Sequence, residues 1–447
     1  GAVYEITAAE DIVTLDGTVR ANKGEVVDTV TTGKDGTAKS KELYLGKYEV
    51  KEITAPYGMV LNEEVHSVEL VYAGQNVDVT ETATSFYNER QREIDLIKSL
   101  AIDDAYGIGK NGEICDVTFG LYAAEELTAA DGKTIPADGL IEVISLDESG
   151  HGKAISDLPM GSYYVQEIST NSAYIVSDVK YPVIFEYAGQ DTEIVRITAN
   201  EGEAITNDII YGSVSGKKSD EDGKALGGAV IGIFTTGTTE FTKENAIAAT
   251  TSKDDGSFSF AKVPYGTWII REIESPKGYV LSEEEIAVTI GKVDEVVEIE
   301  LVNYFIKGNI ALTKVDEDYP DNKLSGAVFE VYSDTNGDGK LDKDDTLLGE
   351  MKELDGGVYQ MSELRYGKYL VKETKAPTGF VLDENVYSVS VEENGKTYTV
   401  ENKAGVGFIN AAQKGSLKIV KTSSDGKVEG FSFRVTGVDY DQTFKTD

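Results

Sequence analysis

Gly367-Lys368-Tyr369-Leu370-Val371-Lys372-Glu373-Thr374-Lys375-Ala376-Pro377-Thr378-Gly379-Phe380 decides the fold of this 447-residue chain. It reads as an aromatic strand, a glutamate and a Pro-x-Gly turn. The same order recurs at Gly46 to Gly58, around Glu52; at Gly161 to Ile168, around Glu167; and at Gly266 to Tyr279, around Glu272. Repetition in a fixed order is the signature of a tandem array.

Working outward, each copy opens and closes alike. Lysine-ending strands open them: Ile94 to Lys98, Val214 to Lys218, Ile310 to Lys314 and Leu417 to Lys421. Apolar-Asn strands close them: Phe86-Tyr87-Asn88, Ile205-Thr206-Asn207, Leu301-Val302-Asn303 and Phe408-Ile409-Asn410. Between them lie period-2 strands cut by Asp-Gly turns, with no convincing amphipathic helix. The expected fold is all-β, a row of β-sandwiches forming an elongated rod. The units are placed at 1–90, lacking its first strand; 91–210, with a long insertion; 211–306; 307–413; and 414–447, the N-terminal fragment of a further unit. Gly1-Ala2-Val3-Tyr4-Glu5-Ile6 aligns with Gly326-Ala327-Val328-Phe329-Glu330-Val331, hence the missing strand of the first unit. Lys421 and that unit are complementary in principle, so one chain could donate a strand to the next.

Composition excludes whole classes of function. Lys+Arg 42 against Asp+Glu 79 leaves a net charge of −37, a poor match for nucleic acid or anionic membranes. No apolar run is long enough to span a bilayer. The single Cys115 permits no intrachain disulfide and is read as a small packing residue at the mouth of an apolar strand. His66 and His151 are the only histidines, His66 among alternating strand residues and His151 in a Gly-rich turn. Neither has a nucleophile signature nearby, so triad and His-metal catalysis are set aside. No enzyme and no organic cofactor are expected.

The pattern Tyr369 to Phe380 resembles the glutamate box of Cna-B-type, or SpaA-like, domains, which build the stalks of Gram-positive adhesins and the shafts of sortase-assembled pilins. The resemblance implies prealbumin-like, reverse Ig-like sandwiches in which a first-strand Lys and a last-strand Asn join as an isopeptide bond. The implied sets are Lys98–Glu167–Asn207, Lys218–Glu272–Asn303 and Lys314–Glu373–Asn410, with Glu52, Asn88 and Lys421 left as incomplete sets. Lys217 competes with Lys218, and aligning Gly212-Ser213-Val214 with Gly415-Ser416-Leu417 favours Lys218, which period 2 then points inward with Val214 and Gly216. The second unit departs from the family pattern, with Ser169 to Tyr174 in place of the Pro-Gly turn. The chemistry is reasonable: burial disfavours charged lysine, and folding supplies the proximity that aminolysis of an amide needs. The glutamate would be the catalytic proton relay, used once, in single-turnover self-crosslinking.

A second pattern suggests a cation. Asp334 to Asp345 puts oxygen-bearing residues at positions 1, 3, 5, 9 and 12 of a twelve-residue loop, with Gly339 at position 6. One Ca2+ is expected on Asp334, Asn336, Asp338, the Lys340 carbonyl, Asp342 and Asp345. The loop follows a strand and ends in Asp, so it resembles the helixless variant of this motif.

The resemblance implies an extracellular, cell-wall-anchored stalk segment whose anchor lies outside this stretch. Its expected partners are neighbouring domains of the same surface protein or pilus subunits. The alternative is a module binding a host matrix protein or glycan, through the insertion at Thr128 to Gly152.

Overall fold

The computed structural model describes residues 1–89, 92–129, 132–156, 158–192, 194–438 and 440–447. Its regular structure is β throughout, with two short 3-10 turns at Glu113–Asp116 and Ala199–Gly202. No helix among the described residues is long and apolar enough to cross a membrane.

Residues 211–303 show the arrangement most plainly. Strand Tyr211–Asp220 lies between antiparallel Ser257–Pro264 and parallel Val296–Asn303. A second sheet has the order Ala248–Thr251, Val230–Thr235, Gly266–Glu274, Ile286–Ile290. Between the two sheets pack Val214, Ile231, Ile233, Phe258, Trp268, Ile270 and Leu301, all buried. The period-2 rule sorts the opening strand: Gly212, Val214, Gly216 and Lys218 face inward, while Ser215 and Lys217 face solvent.

The same order recurs on either side. Lys307–Asp316 runs between antiparallel Val358–Arg365 and parallel Thr397–Thr399 and Phe408–Asn410. It faces a four-stranded sheet ordered Thr346–Glu350, Val328–Ser333, Gly367–Lys375, Val386–Val391. Arg92–Leu100 likewise runs between antiparallel His151–Ala154 and parallel Val195–Thr198 and Ile205–Asn207. Its facing sheet is Leu140–Ser145, Thr118–Ala123, Gly161–Ser169, Lys180–Phe185.

The N-terminal stretch keeps the four-stranded sheet, ordered Val26–Thr31, Val3–Ala8, Gly46–Thr54, Val65–Leu70. A short hairpin, Ile12–Val13 with Val19–Ala21, adds Ile12 and Ala21 to its core, and no counterpart of the lysine strand is paired among its described residues. At the other end Ser432–Gly437 and Tyr440–Lys445 form a hairpin, and Leu417 to Lys421 carries no strand pairing.

Two expectations change. Cys115 is exposed in the 3-10 turn Glu113–Asp116 instead of packing in a strand. Gly112 enters that turn in a left-handed conformation, and the apolar strand begins only at Thr118. His151 opens the strand His151–Ala154; the tight turn ends at Gly150, whose N–H donates to the Asp147 carbonyl at 2.9 Å. His66 sits in Val65–Leu70 with its ring stacked on Phe86 at 4.0 Å, a packing role.

Candidate functional site

Three constraints position each lysine. Its strand is central in a three-stranded ladder, its side chain takes an inward place, and its backbone N–H is held by a glycine. Lys98, Lys218 and Lys314 donate their N–H to the carbonyls of Gly150, Gly256 and Gly357 at 2.8, 2.8 and 2.7 Å. Those glycines have φ of +82°, +75° and +85°, the left-handed region that an L side chain rarely adopts. A Cβ at Gly150 or Gly256 would stand 2.2 or 2.3 Å from the lysine carbonyl oxygen. The Ser149-Gly150, Asp255-Gly256 and Gly356-Gly357 turns are thus part of the lysine's seat.

The asparagine follows from parallel register. Lys218 pairs with Leu301, and Asp220 with Asn303; Lys98 pairs with Ile205, and Leu100 with Asn207; Lys314 pairs with Phe408, and Asp316 with Asn410. In all three, the asparagine lies two residues beyond the lysine's partner, on the same face of the ladder.

The glutamate is aimed by a β-bulge that sequence reasoning missed. Glu52, Glu167, Glu272 and Glu373 pair with Tyr4, Phe119, Ile231 and Phe329, and in each case the ladder then skips one residue on the glutamate strand. A bulge bends a strand and redirects side chains beside it. A second device also recurs: the backbone N–H ten residues downstream donates to the glutamate Oε2. The donors are Asn62 at 2.7 Å, Ser177 at 2.9 Å, Ser282 at 2.8 Å and Asp383 at 2.9 Å. That N–H fixes one oxygen; at Glu272 and Glu373 the other faces the lysine, and at Glu167 it accepts from Asn207 Nδ2.

At residues 218, 272 and 303 the three side chains are all but sealed from solvent. Lys218 Nζ lies 3.5 Å from Glu272 Oε1, and Asn303 Nδ2 donates to Glu272 Oε2 and the Val280 carbonyl, both at 2.7 Å. Lys314 Nζ lies 3.2 Å from Glu373 Oε1 and 4.6 Å from the Phe408 ring centre, while Asn410 Nδ2 donates to Glu373 Oε2 at 2.9 Å. In both places Lys Nζ, Glu Oε1 and Asn Oδ1 have no hydrogen-bond partner, since the Lys–Glu approaches lack hydrogen-bond alignment. A buried Lys–Glu ion pair without hydrogen-bond alignment, beside an amide oxygen with no partner, carries a desolvation cost that the charge attraction offsets only in part. At the third place, Lys98 Nζ donates to Asn207 Oδ1, and Asn207 Nδ2 donates to Glu167 Oε1 at 2.8 Å.

Burial drives the lysines toward the neutral amine. It lowers Lys98 and Lys314 to about 8, against the opposing pull of Glu167 and Glu373. Lys218 is lowered for the same reason, with Glu272 opposing. An amine whose neutral form burial favours thus shares one carboxyl with an asparagine amide, the set of groups that aminolysis of the asparagine would need.

The remaining candidates sit apart. Glu52 is fully buried beside Tyr4 and accepts from Asn88 Nδ2 at 2.6 Å, yet its Oε1 has no hydrogen-bond partner, and among the described residues it makes no ion pair with a lysine. Lys421 Nζ donates to the Thr422 carbonyl at 2.7 Å and lies over the Phe431 ring. Lys217, the competitor, is exposed. In the turn that lacks Pro-Gly, Asn171 takes over, accepting from Ala173 N at 3.0 Å through its side chain and from Tyr174 N at 3.0 Å through its carbonyl.

The acidic loop Asp334 to Asp345 is held by its own side chains. Asp334, buried, accepts from Gly337 N at 2.7 Å and Gly339 N at 3.1 Å. Asp345 accepts from Thr335 N at 3.2 Å and Asp342 N at 2.9 Å, folding the end of the loop over its start. Asn336 Oδ1 and Asp338 Oδ1 each accept an N–H two residues on, at 2.9 Å. The donor set is entirely hard oxygen, which suits Ca2+. Among the described residues no three acidic, His or Cys groups stand gathered as a formed cation site.

The family described as SpaA, a prealbumin-like fold domain, matches residues 1–84, 212–304 and 308–404. The trypsin-resistant surface T6 protein of Streptococcus pyogenes serotype M6 is 33% identical over 90 residues, which is 20% of this chain and 16% of that protein. The chain therefore spans only a small part of that relative. Among solved structures, the Bacillus anthracis TIE protein is similar over 92% of this chain and 69% of its own, at 18% identity and a TM-score of 0.48. BcpA, the major pilin subunit of Bacillus cereus, is similar over 72% of this chain and 99% of its own, at 19% identity and a TM-score of 0.33.

Proposed function

Because the chain belongs to the SpaA family of prealbumin-like fold domains, we propose that it is a load-bearing stalk segment of a Gram-positive surface adhesin or pilin. Three of its units are closed by self-made amide bonds, between Lys98 and Asn207, Lys218 and Asn303, and Lys314 and Asn410. The observation that carries this reading is the cluster of Lys Nζ, Glu Oε1 and Asn Oδ1, none of them hydrogen-bonded, repeated at two sites with almost no solvent exposure. An amide between Nζ and Cγ removes the buried amine and gives both new groups a partner in the glutamate.

The residues divide the work. The neutral lysine attacks the asparagine Cγ; the glutamate takes a proton from Nζ and delivers one to the departing nitrogen, and ammonia leaves. The downstream N–H on Oε2 keeps the carboxyl oriented. The bond joins the opening strand to the closing strand, so tension on the rod passes through covalent links. Asp334, Asn336, Asp338, Asp342, Asp345 and the Lys340 carbonyl would hold one Ca2+, whose charge would offset the carboxylates of the loop. Neighbouring subunits of the same surface structure are the partners this role requires.

Peptide mapping tests the reading. Protease digestion is expected to release branched peptides joining each lysine to its asparagine, and Glu272→Ala or Glu373→Ala should return the two linear peptides at that site alone. Linear peptides throughout in the unaltered chain would overturn it.

A further inference from the structure

We infer that Asp383 and Asn402 are positioning residues for the Lys314–Asn410 bond, holding Glu373, Asn410 and Lys314 in mutual register through one polar network. The inference rests on the amide-forming chemistry proposed above and adds to it a device that residues 307–413 have and residues 211–306 lack.

The need for it lies in the closing strand. In residues 211–303 that strand is continuous, and Val296–Asn303 pairs with Ser213 to Asp220 without a break. In the next unit it is two three-residue pieces, Thr397–Thr399 and Phe408–Asn410. Residues 401–407 leave the ladder between them in an excursion pinched at Lys403 and Gly407. Asn410 therefore sits on a short piece whose own backbone pairing is slight.

Asn402, inside that excursion, substitutes for a strand neighbour. Ile409 N–H donates to Asn402 Oδ1 at 2.6 Å, and Asn402 Nδ2 donates to the Ile409 carbonyl at 2.9 Å, as a backbone amide would. Asn402 Nδ2 also donates to Asp383 Oδ2 at 2.8 Å. Asp383 in turn gives its own N–H to Glu373 Oε2 at 2.9 Å. One side-chain hydrogen bond thus ties the carboxyl of Glu373 to the residue preceding Asn410.

The lysine is reached as well. Tyr387 OH donates to the same Asp383 Oδ2 at 2.7 Å, and its ring meets Phe408 edge-on at 5.1 Å. Phe408 is the ring whose centre lies 4.6 Å from Lys314 Nζ. Burial opposes ionisation of Asp383, but hydrogen bonds from Asn402, Tyr387 and Asn385 together hold its pKa below the ordinary carboxylate value. As a carboxylate it can accept from all three at once.

Comparison between the units supports the assignment. Where the closing strand is continuous, Ser282 stands at the position of Asp383. Its N–H also donates to the glutamate, but among the described residues its Oγ accepts only from Glu284 N, at 3.4 Å. In the first unit Asn62 takes that position, and its Nδ2 reaches the closing segment directly, donating at 3.0 Å to the carbonyl of Tyr87, the residue before Asn88.

The test is the rate of bond formation. The full chain, recovered unfolded in denaturant before its bonds form, is refolded by dilution, and the branched peptides at Lys314–Asn410 and Lys218–Asn303 are followed with time. Asn402→Ala should slow the first about a hundredfold, the scale of a misplacement of about 1 Å, and leave the second at its wild-type rate. Asn402→Asp, isosteric but unable to donate to Asp383 or to the Ile409 carbonyl, should slow the first as well. Exchanging the pair, Asp383→Asn with Asn402→Asp, restores the hydrogen bond between them with donor and acceptor reversed and should recover most of the rate. Calorimetry of each variant in a Glu373→Ala chain, where that bond cannot form, gives its structural cost alone. Rates are read below that transition, where the unit is folded and a merely structural residue would not alter them. Wild-type kinetics in Asn402→Ala, equal slowing at both sites, or an exchanged pair as slow as Asn402→Asp would each overturn this inference alone. No branched peptide at either site in the unaltered chain would bring down the parent reading instead.

Discussion

Lys314→Met separates a covalent rod from an ordinary sandwich array. Lys314 is fully buried against Phe408 and Glu373, so methionine keeps most of the stem's volume and removes only the amine. If the wild-type bond exists, it encloses a loop of 96 residues, from 314 to 410. By the chain-entropy relation for cross-links, losing it costs about 5 kcal/mol. For a unit of this size that is a fall of about 20 °C in its Tm. Differential scanning calorimetry of the full chain should show one transition falling by that amount while the others stay in place. The control is the same substitution in a Glu373→Ala background, where no bond forms. There it removes a buried amine without a partner, and the transition should hold or rise. A fall of under about 5 °C in the first case is what a volume-conserving core swap alone gives, and would refute the reasoning.

Other outcomes follow from the same geometry. Asn410→Ala leaves Lys314 as an amine at about 8, below its ordinary 10.5, so the unfolded chain binds the extra proton between those values. Stability of that unit should therefore rise with pH from about 8 to 10.5 relative to the wild type, by about 1.4 kcal/mol per pH unit at most; no difference in slope between the two would contradict it. Calcium should raise the transition of residues 307–413, by about 2.7 kcal/mol at a hundredfold excess over Kd, and Asp338→Ala with Asp345→Ala should abolish the effect; unchanged calorimetry with calcium or chelator would remove the loop from the account. Arg365 pairs with Asp222 at 2.9 Å and lies 3.8 Å from the Phe305 ring centre, and Lys307 pairs with Glu221 at 3.0 Å. Arg365→Ala should loosen this junction, broadening the distance distribution in small-angle scattering; an unaltered profile would show that the linker alone sets the angle.

Much of this was legible in the residues because the units repeat. Lys, Glu and Asn each recur in register, and period 2 separated inward Lys218 from outward Lys217. What escaped were features with no single-residue signature. The bulge beside each glutamate is a count mismatch between two strands distant in sequence, and the downstream N–H on Oε2 is a backbone group any residue supplies. The glycine carbonyl under each lysine was visible only as a turn. Cys115 was misread because its apolar neighbours Ile114 and Val117 suggested a strand, where Gly112 starts a 3-10 turn.

The central claim is that three buried amines are spent in amide bonds, and the intact mass of the denatured chain tests it most directly. Three amide bonds give a deficit of roughly 51 Da from the mass of the sequence, shrinking by about 17 Da with each of Glu167→Ala, Glu272→Ala and Glu373→Ala. A mass equal to that of the plain sequence would contradict it.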